Sequence, residues 1–337
     1  MRIALDAMGG DHAPGPIVAG ALQAVAADPE ITIVLVGDKS KVEPLLSGDG
    51  PRDRVEVFHA ADTIGMHESP VDALRARPDN SIARCWQLMV GKKVDAIVSA
   101  GNTGAMVAGG LLSRRFLKNV RRPGIATVMP TAKGPCAIID IGANVHPRAT
   151  HLYQYGVMGR IFARHILGKE NPTVGLMNVG EEEGKGHDLA VEAYGMLKAG
   201  LKDRFVGNVE GGDIHRGAAD VVVCDGFVGN VILKLSEGVF DFIMKTVAKE
   251  IIMPLPTDQA AAMKAFHALL ARYDYSTFGG APLLGVDGIC IICHGSSKEV
   301  AIRNAIGVAA KNARVKLNEK IVLELETLPK VGVMNDE

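Results

Sequence analysis

The sequence predicts an α/β fold with a doubly wound, mainly parallel sheet, and three observations carry that prediction. Short apolar, β-branched runs recur along the chain, separated by segments whose apolar residues return with a period near 3.6. Most of these runs are continuous rather than alternating, the pattern of strands buried on both faces of a parallel sheet. Most of the runs also empty into loops that combine glycine with small polar residues and then open a helix.

In chain order, strands are expected at Arg2 to Leu5, Ile31 to Val36, Val55 to Phe58, Ala96 to Ser99 and Ala126 to Met129. They continue at Ala137 to Asp140, Val174 to Asn178, Phe205 to Asn208, Val221 to Cys224 and Ile289 to Cys293. Helical periodicity marks Pro16 to Ala27, His151 to Leu167, Leu189 to Lys198 and Lys298 to Leu317. With no internal repeat or low-complexity linker, residues 1–337 are expected to form a single catalytic domain, with two lobes around a cleft. From Val228 a long apolar helical stripe is interrupted at Met253 to Pro256 and resumes through Met263 and Phe266. It predicts a helical hairpin over 236–273 that offers a dimer contact, a membrane contact, or both, the latter through Ile251, Ile252 and Leu255.

Composition narrows the function. The 337 residues are 47% apolar, enough for a large core, and the net charge of −1 provides no global field for nucleic acid or anionic lipid. Aromatics make up only 4%, which argues against a base-stacking surface, so no nucleic-acid partner is expected. Met1 leads directly into a strand-like segment without a signal region, and no window is apolar enough to span a bilayer, so a cytoplasmic location is expected. The five cysteines suit reduced structural thiols. Cys290-Ile-Ile-Cys293-His294 spells a haem-attachment pattern, but it falls in an apolar strand and its chemistry requires export.

Six loops share one chemistry: Asp6–Pro14, Ser99–Gly104, Asp140–Asn144, Gly180–Asp188, Asp225–Asn230 and His294–Ser297. Glycine lets backbone N–H groups approach a ligand, and Asn, Asp, Ser, Thr or His adds side-chain hydrogen bonds, so phosphate is the expected guest. Nucleotide fingerprints do not fit. The stretch from Gly180 to Gly186 is one residue short of a P-loop and lacks the Ser or Thr after Lys185. Gly184 to Leu189 lacks the third glycine of a dinucleotide loop and follows Glu181 to Glu183, an unfavourable setting for pyrophosphate. The carboxylates and His12 show no metal-ligand spacing, and neither metal nor cofactor is expected.

Asp6 to Pro14, Ser99 to Ala105, Asp140 to Asn144, Asn178 to Gly186, Val222 to Asn230, Gly279 to Gly285 and His294 to Ser297 together resemble, in order, the motifs of the phosphate acyltransferase family of bacterial phospholipid synthesis. The resemblance implies transfer of an acyl group from acyl-[acyl-carrier protein] to inorganic phosphate. The acyl-phosphate so formed would supply a membrane-bound glycerol-3-phosphate acyltransferase. It further implies a Rossmann-like fold akin to isocitrate and isopropylmalate dehydrogenases, a homodimer, and peripheral attachment to the inner face of the cell membrane.

Phosphate is largely ionised near neutral pH and a thiol leaves readily, so the residues mainly have to orient and neutralise. The expected phosphate and substrate contacts are Asp6, Gly9, Gly10, Asp11, Gly101, Thr103, Gly104, Asp225, Ser296 and Ser297. Lys185 is expected to offset the phosphate charge, and Asn102, Asn144 or Asn230 to donate to the oxyanion. His12 would hold phosphate or relay a proton. Arg114, Arg115, Lys118, Arg121 and Arg122 form a basic run suited to docking an acidic carrier protein or anionic headgroups. Two other readings stay open at this stage: a nicotinamide-dependent 2-hydroxy acid dehydrogenase of the same fold class, and a membrane-associated scaffold without activity.

Overall fold

The computed structural model describes residues 1–46, 52–255, 257–273 and 279–328, with the side chains of 271–273 excepted. Position 256 of the expected hairpin break and the last nine residues of the expected domain lie outside the described residues.

The first half of the chain gives β1 (Arg2–Asp6), α1 (Gly15–Ala27), β2 (Thr32–Gly37), α2 (Lys39–Val42), β3 (Val55–His59) and α3 (Pro70–Ala76). It continues with α4 (Ser81–Val90), β4 (Ala96–Ser99), α5 (Thr103–Ser113), β5 (Gly124–Thr131) and β6 (Gly134–Ile139). Then follow α6 (Ala149–His165), β7 (Val174–Met177), α7 (Asp188–Leu201), β8 (Phe205–Val209), α8 (Gly211–Ile214) and β9 (Val221–Val223). The chain closes with α9 (Gly226–Val247), α10 (Gln259–Tyr273), β10 (Ala281–Leu284), β11 (Ile289–Ile292), α11 (Glu299–Arg314) and α12 (Leu317–Thr327).

Among the described residues, eleven strands join one sheet in the order β3-β2-β1-β4-β11-β10-β5-β6-β9-β7-β8. Its interior strands are almost wholly buried, as continuous apolar runs require, while β3 at one edge is largely exposed. Strands β3, β2, β1, β4 and β11 are mutually parallel, and so are β6, β9, β7 and β8. Between these sets, β10 runs antiparallel to both β11 and β5, and β5 antiparallel to β6. Three successive reversals leave the two parallel sets pointing in opposite directions. Loops that follow β1, β4 and β11 therefore gather at one edge of the sheet, and those that follow β6, β9 and β7 at the other.

The ten expected strands are present, and β10 is an addition to them. Its sequence, Ala-Pro-Leu-Leu, is only four residues long, and Pro282 supplies no N–H to the ladder, which hides it from pattern reading. The expected helix from Lys298 to Leu317 is two, because Lys316 takes a left-handed conformation between α11 and α12. The apolar stripe begins in α9, passes through a π turn over Ala248–Ile252, and resumes in α10.

Helix α9 starts against the end of β6. Asp225 caps it, its carboxylate accepting from the backbone N–H groups of Phe227 and Val228 at 2.9 Å each. At Gly229 a Cβ would overlap the Asp140 carbonyl oxygen and crowd Cys224 Sγ at 2.9 Å, so only glycine lets the helix approach this closely. Gly229→Ala is expected to destabilise the fold by about 1–3 kcal/mol or more, the cost of overpacking a fixed backbone contact. Urea denaturation checks it through a lowered midpoint.

Candidate active site

At the first edge of the sheet the Asp6–Pro14, Ser99–Gly104 and His294–Ser297 loops pack against one another. Asp6 is almost fully buried and accepts from Ser99 Oγ at 2.7 Å and from the Met8 backbone N–H at 3.2 Å. Burial pushes its carboxyl above the ordinary value, and hydrogen bonds from Ser81, Ser99 and the Met8 and Gly9 backbone oppose that shift. Ser99 Oγ in turn accepts from Gly101 N–H at 3.0 Å, and Gly9 lies directly on Asp6 and Gly101. The Asp11 N–H donates to Gly295 O at 2.8 Å, which joins the first loop to the third. His12 and Asp11 are exposed on the outside of this assembly.

Asn102 is buried and serves as a clamp. Its Oδ1 accepts from Ala105 N–H at 3.0 Å to cap α5, while its Nδ2 reaches the carbonyls of Gly65, Met66 and Glu68 at 3.1–3.2 Å. Thr103 and Gly104 follow at the amino end of α5. Across the third loop, His294 Nδ1 lies 2.8 Å from Ser296 Oγ.

At the opposite edge, Asp140 organises the Asp140–Asn144 loop. Its Oδ1 accepts from the N–H groups of Ile125, Gly142 and Ala143 at 2.9–3.1 Å, and its Oδ2 from Asn144 N–H at 2.7 Å. Burial raises its carboxyl above the ordinary value, and these backbone donors work against the rise. Asn144 Nδ2 donates to Pro123 O and to Tyr155 Oη, both at 2.7 Å. Burial, with Asp140 nearby, holds the Tyr155 phenol well above its usual value and therefore protonated.

Between the two edges a cleft of about 160 Å3 crosses the antiparallel centre of the sheet. Thr103, His294 and Ser297 border it from the first edge, and Ile141 and Asn230 from the second. One face of α9 contributes Asn230, Leu233, Lys234 and Glu237, residues at helical spacing. Ile125, Val128 and Ile292 supply apolar wall. Lys234 Nζ lies 2.9 Å from Glu237 Oε2, an ion pair in which the lysine is half exposed. Cys293 also lines the cleft, but burial pushes its thiol up to about 12, so it is a neutral wall residue near pH 7.

Of the residues expected from sequence, the cleft thus brings together Thr103, Asn230 and Ser297. Asp6, Gly9, Gly10, Gly101 and Ser296 belong to the loops behind its first edge, and Asp225 to the cap of α9 behind its second. Asn102 and Asn144 spend their amide hydrogens on internal partners. Lys185 lies elsewhere, half exposed on the loop after β7, with Nζ 3.8 Å from Glu182 and its carbonyl accepting from Asn178 Nδ2. Sequence reasoning passed over Lys234, Glu237 and Leu233. The signal that marks them is their spacing from Asn230 along one helix face, just beyond a capped glycine loop.

The basic run follows α5. Arg115 pairs with Asp287 and Lys118 with Glu326, each at 2.8 Å, and the Arg121 backbone N–H donates to Gln154. Arg114 and Arg122 are exposed beside them. On the hairpin, Ile251 and Leu255 are exposed at 60% and 36%, but Ile252 is buried at 5%, because the π turn rotates it inward. Among the described residues no helix is long and apolar enough to cross a membrane, and no group of His, Cys, Asp or Glu is arranged to hold a metal ion.

Comparison with known proteins places this geometry among relatives. The family model described as fatty acid synthesis protein matches residues 1–320. A phosphate acyltransferase of Heliobacterium modesticaldum is 47% identical over 319 residues, covering 93% of this chain and 94% of the relative. Another, from Dictyoglomus turgidum, is 44% identical over the full length of both. Among solved structures, a phosphotransacetylase from Streptococcus pyogenes superposes with a TM-score of 0.61 over 93% of this chain and 94% of its own, at 19% identity, a likeness of fold alone.

Replacing the central carboxylate tests how the second edge is held. Asp140→Asn keeps one acceptor oxygen but puts an amide donor where an acceptor is needed, leaving a buried N–H unsatisfied. The expected loss of stability is about 1–3 kcal/mol, read from denaturation curves.

Proposed function

The chain belongs to the fatty acid synthesis protein family, whose full-length relatives are phosphate acyltransferases, and from that premise we propose that it carries a fatty acyl group from acyl-[acyl-carrier protein] to inorganic phosphate. That it is an acyltransferase acting on phosphate follows from the family. The dehydrogenase and scaffold readings fall with it. The carrier-protein donor and the supply of acyl-phosphate for glycerol-3-phosphate acylation are the finer parts of the proposal.

The observation that carries the mechanism is the cleft, where polar groups from both sheet edges meet an apolar wall. Phosphate sits at the first edge, held by the amino end of α5, by the Thr103 and Ser297 hydroxyls and by His294, with Lys234 offsetting its charge. The acyl thioester enters with its chain against Ile125, Val128 and Ile141. A phosphate oxygen attacks the thioester carbonyl carbon, and the carbonyl electrons move to an oxyanion that accepts a hydrogen bond from Asn230. Collapse of this intermediate re-forms the carbonyl, breaks the C–S bond and releases the carrier thiolate. That thiolate takes a proton from water, since a thiol of pKa near about 8.5 needs no strong acid to leave. Asp6, Ser99, Asn102, Asp140 and Asn144 act behind this arrangement, fixing the loops that present it. No cysteine takes part.

Exposed Val231, Leu235, Val239 and Phe242 on α9 support a homodimer or peripheral membrane contact through the hairpin, since such a stripe is costly to leave in water. Arg114 and Arg122 support docking of an acidic carrier protein beside α5.

Two experiments test the reading. Lys234→Ala is expected to lower kcat/KM for phosphate at least tenfold, a barrier change of about 1.4 kcal/mol, and Lys185→Ala to lower it less. Phosphate-dependent thiol release measures both, and the reverse order would return the cation role to the loop after β7. Charge reversal at Arg114 and Arg122 is expected to raise the KM for the carrier-bound donor severalfold with little change in the KM for phosphate; steady-state kinetics in both substrates check it.

A further inference from the structure

The acyl-transfer reading leaves open how the cleft tells phosphate from other tetrahedral dianions, and its charged residues carry an answer. Among the described residues that line the cleft, Lys234 has the only ammonium and Glu237 the only carboxylate. Both stand in the interior of α9, three residues apart on the face that Asn230 and Leu233 share. Their ion pair is turned inward, since the Glu237 side chain is 19% exposed and that of Lys234 53%. Farther along the same helix, the pair of Lys245 and Asp241 is largely open to solvent at both ends. Glu237 is therefore set into the cleft and is not spread on the surface as an ordinary partner for lysine.

A carboxylate is an unexpected neighbour for an anion site. Glu237 Oε2 lies 2.9 Å from Lys234 Nζ. A phosphate oxygen held by that ammonium at ordinary hydrogen-bond distance comes within about 6 Å of the carboxylate. Two negative groups so close repel each other unless a hydrogen joins them. Phosphate brings that hydrogen, because near neutral pH it keeps a P–OH, whereas sulfate carries none. We infer that Glu237 accepts a hydrogen bond from the P–OH of the bound phosphate and thereby rejects fully ionised tetrahedral anions such as sulfate. The inference rests on the acyl-phosphate reading above and names the ionic form of phosphate that the same site takes. Hydrogen bonds to an ionised acceptor are among the strong ones, and a site built around such a bond rejects an analogue that lacks the donor. Discrimination of at least about a hundredfold is expected.

Two roles for Glu237 make different predictions. If it only softened the charge of Lys234, its removal would tighten phosphate and sulfate alike. Selection through the P–OH separates the two anions, because Glu237→Gln keeps an acceptor for phosphate and gives sulfate an amide donor in place of a negative charge.

The experiment measures phosphate-dependent thiol release from an acyl-carrier protein donor, with sulfate as competitor and ionic strength held constant with chloride. Thermal melts confirm that the variant is folded. In the wild type, the inhibition constant for sulfate should exceed the KM for phosphate by at least about a hundredfold. Glu237→Gln should lower that ratio at least about tenfold. Arsenate, which like phosphate keeps a proton on oxygen near neutral pH, should replace phosphate in the wild type. If the variant loses turnover, calorimetric titration with phosphate and with sulfate gives the same ratio from binding alone. A wild type that binds sulfate within about tenfold of phosphate, or that excludes arsenate as it excludes sulfate, would overturn the inference, with or without a folded variant. So would a ratio left unchanged by Glu237→Gln. Absence of phosphate-dependent thiol release from any donor in the wild type would instead overturn the acyl-phosphate reading beneath it.

Discussion

The buried carboxylate of Asp140 is the point on which the second edge of the sheet depends. Its two oxygens gather the backbone N–H groups of Ile125, Gly142, Ala143 and Asn144, which ties the start of β5 to the loop leaving β6. The carbonyl of the same residue receives Gly229, so the first turn of α9 is set by the backbone that the carboxylate holds. Withdrawing a carboxylate from water is costly, and burial does raise the carboxyl here. Four backbone donors at hydrogen-bond distance are what offset that cost. Asn230, Leu233, Lys234 and Glu237 reach the cleft only because α9 begins at this place.

The first edge uses the same device with different parts. Asp6 is buried, accepts from Ser99 and from the Met8 backbone, and holds two glycine loops in mutual contact. The two edges face the cleft from opposite ends because the strands between them are antiparallel. A sheet with all strands parallel would have placed both sets of loops at one edge, with no shared cleft across its centre. The reversal at β10, β5 and β6 therefore does more for the site than any single loop.

Several loop-building residues were legible in the chain for reasons that hold in the fold. Glycine beside Asn, Asp or Ser at a strand end signals a tight approach with nearby donors, and Gly9, Gly101, Asp225 and Gly229 meet that description. The same signal does not distinguish a group that faces a ligand from one that builds the loop. Asn102 and Asn144 look alike in sequence to Asn230, yet their amides are consumed by Gly65, Met66 and Glu68 and by Pro123 and Tyr155. Lys185 stands in a loop with three glycines and lies outside the cleft. Lys234 stands in an ordinary helical stretch and lines it.

By itself the sequence determined the α/β class, the places of ten strands, the helical stripe from Val228 and the family, because periodicity, burial and long ordered motifs are local properties of the chain. Tertiary structure alone decided that the parallel sets oppose each other, that β10 completes the sheet, and that one face of α9 closes a cleft while another stays exposed. These depend on which strand hydrogen-bonds to which, and on how closely Gly229 lets a helix approach Asp140. Both are distances between residues far apart in the chain, and no local pattern carries them.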